Sequence, residues 1–370
     1  MIKYGSQNID KSDIKEVIKV LESDYLTQGP KVFEFEKVLA KYCGAKYAVA
    51  VNSGTAGLHL AYMAAGLKKG DEAITSPNTF VATANMLLEC GVRPVFCDIR
   101  GDTCNIDEAK IEKLVNKKTK AIVPVHFAGH PCAMEGIKRV ANKRGLIVIE
   151  DACQALGAKY KSSKIGDCKY SDMAVFSFHP VKSITTGEGG AILTNSKKLY
   201  ERLIRLRSHG VTKDKNGFNV MTDFGYNYRI SEMQAALGVS QIKRLDDFIK
   251  KRHQVVKWYK EELGDIKDIV LPAELKENRS AWHIYAIRVK DKKLRLLLFK
   301  HLLRNNIGVN FHFPCVYQHP YYKSRGFAGV KCPEAELYAG TAITLPLHTL
   351  LKNSDIKYIG KAIRKFFKVK

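Results

Sequence analysis

Between residues 47 and 194, short apolar runs alternate with longer stretches in which apolar residues recur at helical spacing. No other feature restricts the fold so tightly. Strands are predicted at Tyr47–Val51, Glu72–Thr75, Pro94–Asp98, Ala121–Val125, Leu146–Glu150, Met173–Phe178 and Ala191–Thr194. Helices are predicted among them at Ala56–Ala65, Thr79–Glu89, Asp107–Val115 and Glu135–Arg144. This alternation predicts an α/β architecture whose central sheet is mostly parallel and covered on both faces.

Upstream, Ser12 is placed to cap a helix with Ile14, Val17, Ile18 and Leu21 on one face. A second amphipathic helix carries Phe35, Val38, Leu39 and Tyr42. After residue 245 the texture shifts. A charged helix from Asp246 to Leu263 precedes a strand at Ile284–Val289, a helix at Lys293–Arg304, a strand at Val309–Phe311 and a helix near Ile356–Phe367. Lys361–Lys370 reads as the exposed face of that last helix. The 370 residues thus divide into a large unit, 1–245, and a smaller α+β unit, 246–370.

A hydrophobic fraction of 45% and a charged fraction of 26% suffice for a sizeable core without disulfides or metal. The nine cysteines are scattered with no CxxC pair, as expected of reduced thiols in packing roles. No apolar run approaches the roughly 20 residues of a membrane span. The N-terminus lacks the apolar core of a signal peptide, so a cytoplasmic protein is expected. The net charge of +24 admits nucleic acid, a membrane surface or a small anion as partner. The basic residues are spread along the chain without a zinc-finger or RNP-type signature. That suits a phosphate-rich ligand and predicts no nucleic-acid or membrane partner. A basic nucleic-acid-binding protein is the remote rival, and it would bind any duplex in a salt-sensitive way.

In parallel sheets, ligands collect beyond the carboxyl ends of the strands. Three segments meet that description. Asn52-Ser53-Gly54-Thr55-Ala56-Gly57 follows a strand and opens a helix, as a phosphate site or an ordinary helix start would. Asp151 follows the apolar run Leu146–Ile149 with only Glu150 between, where a carboxylate is costly unless paired. It could protonate a ring nitrogen or cap the next segment. Lys182 lies in a Gly/Thr-rich loop between two apolar strands. Desolvated, it would be a nucleophilic amine; otherwise it is a surface lysine. Together the three suggest a pyridoxal-phosphate (PLP) site: a lysine for the aldehyde, an acid for the ring nitrogen and a helix N-terminus for the phosphate. His126 and His130 share a metal-like spacing, but Gly129 and Pro131 break the helix that spacing needs, so no metal is expected.

On its motifs the chain resembles the sugar aminotransferases of the DegT/DnrJ/EryC1/StrS family, which have the fold type I (aspartate aminotransferase-like) architecture. The matching segments are Leu26-Thr27-Gln28-Gly29-Pro30, Asn52-Ser53-Gly54-Thr55, Ser76–Asn85, Asp151–Gly157, Ser177–Lys182 and Gly225–Arg229. The resemblance implies that Lys182 is the Schiff-base lysine and proton carrier and that Asp151 pairs with the pyridinium nitrogen. It places Phe80 on the ring face and Gln154 at the phenolic oxygen. It assigns Gly54, Thr55, Ala56 and Ser177 to the phosphate. Asn227 would reach the cofactor of a neighbouring subunit, which implies a homodimer with active sites at the interface. Phe80–Glu89, Gly187–Asn195 and Gln318 are similar to the family's pseudaminic-acid branch. That branch implies a UDP-linked 4-keto-6-deoxy-N-acetylhexosamine as acceptor and L-glutamate as donor. Tyr4, Asp24, Tyr25, Leu26, Thr27, His179, Arg229, His312, Phe313 and Tyr317 would then meet the sugar nucleotide. Pro314 and Cys315 depart from the branch's pattern. Alternatives within the family are bacillosamine, perosamine or aminoarabinose precursors. Related dehydratases carry histidine in place of the lysine, and Lys182 argues against them.

Overall fold

A computed structural model describes residues 1–368; the last two residues of the Lys361–Lys370 segment, Val369 and Lys370, lie outside the described residues. The central sheet is built from β1 (Tyr47–Val51), β2 (Glu72–Thr75), β3 (Arg93–Phe96), β4 (Thr119–Val123), β5 (Ile147–Asp151), β6 (Met173–Ser177) and β7 (Gly190–Thr194). Their order is β1-β7-β6-β5-β4-β2-β3. β7 runs antiparallel to both of its neighbours, and the pairs from β6 through to β3 are parallel. The alternation of side chains along each strand separates two cores. Ala50, Ile122, Val148 and Phe176 point to one face, and Val49, Val123, Ile149 and Val175 to the other. The predicted mostly parallel α/β sheet, covered on both faces, is therefore what forms.

Helices α1 (Lys11–Leu21) and α2 (Pro30–Cys43) pack on one another's neighbour, the later helix Glu232–Ile242. The cap of α1 is Asp10, not Ser12: its carboxylate accepts from the amides of Ser12 and Asp13, and Asp13 returns the bond to the Asp10 amide. Nor is the apolar stripe of α1 inward. Ile14, Ile18 and Leu21 are exposed, while Asp13 is buried against Gln241 (2.7 Å) and Arg244. Polar pairing, rather than hydrophobic periodicity, docks this helix. Glu232 in turn caps α2 from a distance, accepting from the amides of Gly29, Lys31 and Val32 at 2.7–3.0 Å.

Helix α3 (Gly54–Ala64) is apolar nearly all round and is accordingly buried. Helix α4 begins at Ala82 rather than Thr79 (Ala82–Glu89), because Ser76–Val81 forms a loop tied by its own side chains. A three-stranded antiparallel sheet of Ile269–Val270, Tyr285–Val289 and Ala342–Leu345 organises the C-terminal part with helices Leu294–Arg304 and Asn353–Lys368. Val309–Phe311 does not form a strand. Asn310 makes a single bridge to Thr344, and its side chain takes the Phe311 amide in place of a ladder partner. Helix Leu245–Leu263 contributes Leu245 and Phe248 to the large core and Val255 and Tyr259 to the small one. We propose its start, 245/246, as the division between two units. Among the described residues no helix is long and apolar enough to cross a membrane.

Candidate active site

The carboxyl ends of β1, β5 and β6 converge. A Cβ on Gly54, at the start of α3, would sit 2.8 Å from Ser177 Cβ and 3.1 Å from Cys153 Sγ. Only glycine permits this approach, and it joins all three segments singled out in the sequence. Ser53 caps α3, its hydroxyl accepting from the Ala56 amide at 3.1 Å. Of the three residues expected to grip a phosphate through the first turn, Ala56 thus has its amide committed. The amides of Gly54 and Thr55 point out of the helix end without an intrahelical partner.

Asp151 closes β5 and is 5% exposed. Its Oδ2 accepts from Thr83 Oγ1 at 2.6 Å and its Oδ1 from the Cys153 amide at 3.2 Å. Lys182 is set by a turn in which its amide donates to His179 O at 2.9 Å. Burial lowers the pKa of its amine, opposed by the Cys153 thiol and by Asp151. Among the described residues the amine has no hydrogen bond or ion pair. Gln154 is buried, its Oε1 accepting from the Ala128 amide at 2.8 Å, which leaves its NH2 group as a donor.

Phe80 stands out from a loop whose other members, Ser76, Asn78 and Thr79, are buried; it is 58% exposed. Its ring centroid is 6.2 Å from Phe313, which lies 4.8 Å from His312, itself 5.9 Å from Tyr4. Tyr4, His312 and Phe313, expected at the sugar, are therefore gathered beside Phe80. His312 donates to or accepts from Thr344 Oγ1 at 2.9 Å. Burial and then the charge of Lys182 push its pKa down to about 4. His179 is exposed on the lysine turn.

The remaining expected residues sit on the Asp24–Thr27 stretch and beside Tyr228, whose carbonyl accepts from the Asn52 amide at 2.9 Å. Asp24, Tyr25, Leu26 and Thr27 are exposed, with Leu26 O accepting from the Glu232 amide and Thr27 bridged to Ser231. Asn227 is exposed and bridged to Ser208, and Arg229 is half-buried with no ion pair among the described residues. Tyr317 is corrected. It is 3% exposed in an aromatic core with Phe96, and its hydroxyl is used up, donating to Glu336 at 2.7 Å and accepting from the Cys332 amide at 3.1 Å. No face of it is left for a ligand.

His126 has a structural occupation: Nε2 bonds Glu150 at 2.6 Å and Nδ1 accepts from the Cys132 amide. Sequence reasoning gave Thr83 no role and read His283 as a packing residue at the start of a strand. Thr83 follows Thr79 by four residues and contacts it at 2.8 Å, and that spacing was the available signal. His283 is buried with no partner for Nδ1 among the described residues, close enough to Lys182 that the lysine's charge adds to burial in lowering the ring's pKa.

These buried imidazoles carry a pH prediction. His130 and His312 are held down to about 4, chiefly by burial, against an ordinary value of 6.5. Above pH 6.5 folded and unfolded chains are alike neutral at these sites. Below it the unfolded chain takes up protons that the folded chain refuses, so stability falls as pH drops from 6.5 towards 4. Melting temperature measured across this window should decline, and His312→Gln should make the decline shallower. A flat profile would contradict the burial of neutral imidazoles.

The model of the DegT/DnrJ/EryC1/StrS aminotransferase family matches residues 7–364. The UDP-4-amino-4,6-dideoxy-N-acetyl-beta-L-altrosamine transaminase of Campylobacter jejuni (strain 81-176) is 39% identical over 365 residues, 97% of this chain and 96% of that one. The structure of Helicobacter pylori PseC, an aminotransferase involved in the biosynthesis of pseudoaminic acid, superposes with a TM-score of 0.95 at 35% identity, over 100% of both chains. The PLP form of a putative sugar aminotransferase from Streptococcus pneumoniae, Spr1654, gives a TM-score of 0.93 at 28% identity, over 99% of this chain and 98% of that one.

Proposed function

The chain belongs to the DegT/DnrJ/EryC1/StrS aminotransferase family and is a PLP-dependent nucleotide-sugar transaminase; from that premise we propose which amino group it moves, and where. The reaction is transfer from L-glutamate to carbon 4 of a UDP-linked 4-keto-6-deoxy-N-acetylhexosamine, as a step of pseudaminic acid biosynthesis. The names of the C. jejuni and H. pylori relatives support the substrate. The observation that carries the chemistry is the half-buried amine of Lys182, without a hydrogen bond or ion pair among the described residues, in electrostatic reach of Asp151.

The residues present fit the cofactor: Gly54, Ser177 and Cys153 form a cradle that a side chain at 54 would fill. Once bound, PLP supplies an aldehyde and an electron sink. Lys182 Nζ, whose pKa burial lowers, is the tethering amine; it would take the proton from the donor's α-carbon and deliver one to carbon 4 of the sugar. The Asp151 carboxylate holds a proton on the ring nitrogen. The amides of Gly54 and Thr55, with the Ser177 hydroxyl, hold the phosphate. Ala56 shapes that turn through its bond to Ser53. Phe80 covers one ring face, and the Gln154 NH2 group meets the phenolic oxygen. Tyr4, His179, His312 and Phe313 flank the sugar. Asp24, Tyr25, Leu26, Thr27 and Arg229 meet the sugar nucleotide, and Asn227 reaches the cofactor of the neighbouring subunit in a homodimer.

The test is spectroscopic. Glutamate added to the purified, PLP-loaded protein should bleach the cofactor's visible band, and the UDP-linked 4-keto sugar should restore it. Other keto-sugar nucleotides should restore it at least tenfold more slowly, by order of magnitude for misplaced polar contacts. Restoration by a different sugar alone would overturn the substrate. A band that glutamate leaves untouched would overturn the donor.

A further inference from the structure

A hydroxyl relay stands behind the acid. Thr83 Oγ1 has one proton and two acceptors within reach: Asp151 Oδ2 at 2.6 Å and Phe80 O at 3.3 Å. The longer contact is the back-bond that any helical threonine can make. The shorter one has the length of a charge-assisted O–H···O⁻ bond, so the proton belongs to the carboxylate. That fixes the next link. Thr79 Oγ1 lies 2.8 Å from Thr83 Oγ1, and with the Thr83 proton committed, Thr79 must be the donor. All three groups are buried, at 2%, 0% and 5% exposure for Thr79, Thr83 and Asp151, so water cannot substitute for a missing member. The Tyr62 hydroxyl, donating to Thr83 O at 3.1 Å, pins the backbone beneath the relay.

We infer that Thr83, oriented by Thr79, is a positioning residue that fixes the rotation of the Asp151 carboxylate and aims its remaining lone pair at the cofactor's ring nitrogen. The inference rests on the PLP reading above. The relay has a second consequence. Phe80 lies between the two threonines in the chain, so one loop sets both the ring's cover and the acid's angle. Bonds in such a low-dielectric chain reinforce one another, and loss of Thr79 is felt at Asp151 through Thr83.

The experiment compares the PLP-loaded wild type with Thr83→Val, Thr83→Ser and Thr79→Val. Valine matches threonine in shape and removes only the hydroxyl. Thr83→Val should raise the cofactor's dissociation constant about tenfold, the worth of one bond to a charged group. It should also shift the visible band and lower kcat about tenfold while KM for the sugar stays within about twofold. Thr83→Ser should restore all three readouts, and Thr79→Val should move them the same way by about threefold. A Thr83→Val protein with wild-type spectrum, dissociation constant and kcat overturns the relay. So does one that loses only melting temperature and is not rescued by serine. A wild type that binds no PLP sinks the cofactor reading itself, a different failure visible before any variant is made.

Discussion

Lys182→Ala abolishes transamination, by at least about four orders of magnitude, since one side chain supplies both the covalent tether and the proton carrier. The side chain is half-buried, its amine has no hydrogen-bond partner among the described residues, and its desolvation lowers the pKa. Removing it therefore does not destabilise the fold. Melting temperature should hold or rise while activity vanishes, and that opposition separates a functional lysine from a structural one. Lys182→Arg should be equally inactive, because a guanidinium stays protonated and cannot serve as nucleophile or base. Initial rates with glutamate and the keto-sugar nucleotide, alongside thermal unfolding, check the claim. A variant retaining even a hundredth of wild-type turnover would remove Lys182 from the mechanism.

Asp151→Asn is the second large effect. The amide keeps the shape of the side chain but cannot hold a proton on the ring nitrogen, and kcat should fall by about two to three orders of magnitude. The structure adds a cost. Two donors, Thr83 Oγ1 and the Cys153 amide, converge on the two carboxylate oxygens. An asparagine offers one oxygen, so a donor is left facing an NH2 group, at about 1–3 kcal/mol. Unlike Lys182→Ala, this variant should still take up PLP covalently, and reduction with borohydride would trap the adduct. If Asp151→Asn kept its rate, the carboxylate would serve only to tie the turn at Cys153, and the ring-nitrogen role would fall.

Much of this protein is decided along the chain. The apolar runs that become β1 and β4 through β7 are short, β-branched and doubly buried, so their periodicity survives in the sequence. Asp151 stood out as a carboxylate at the end of such a run, where burial must have a purpose, and Lys182 as a lysine in a Gly/Thr-rich loop between two of them. Gly54 stood out for the same local reason, at a strand-to-helix turn. What the chain did not show depends on partners far away in sequence. Asp13 turns α1 inward by its polar edge because Gln241 and Arg244 arrive from over 220 residues downstream. Tyr317 lost its place at the sugar because Glu336 and Cys332 consume its hydroxyl. Thr83 reads as an ordinary helical threonine until β5 carries Asp151, 68 residues on, to 2.6 Å from it. Sequence patterns report the average environment of a segment, buried or exposed, because hydrophobic burial is non-directional and roughly additive. Hydrogen bonds need two named atoms at one distance and angle, and only the folded chain brings those together.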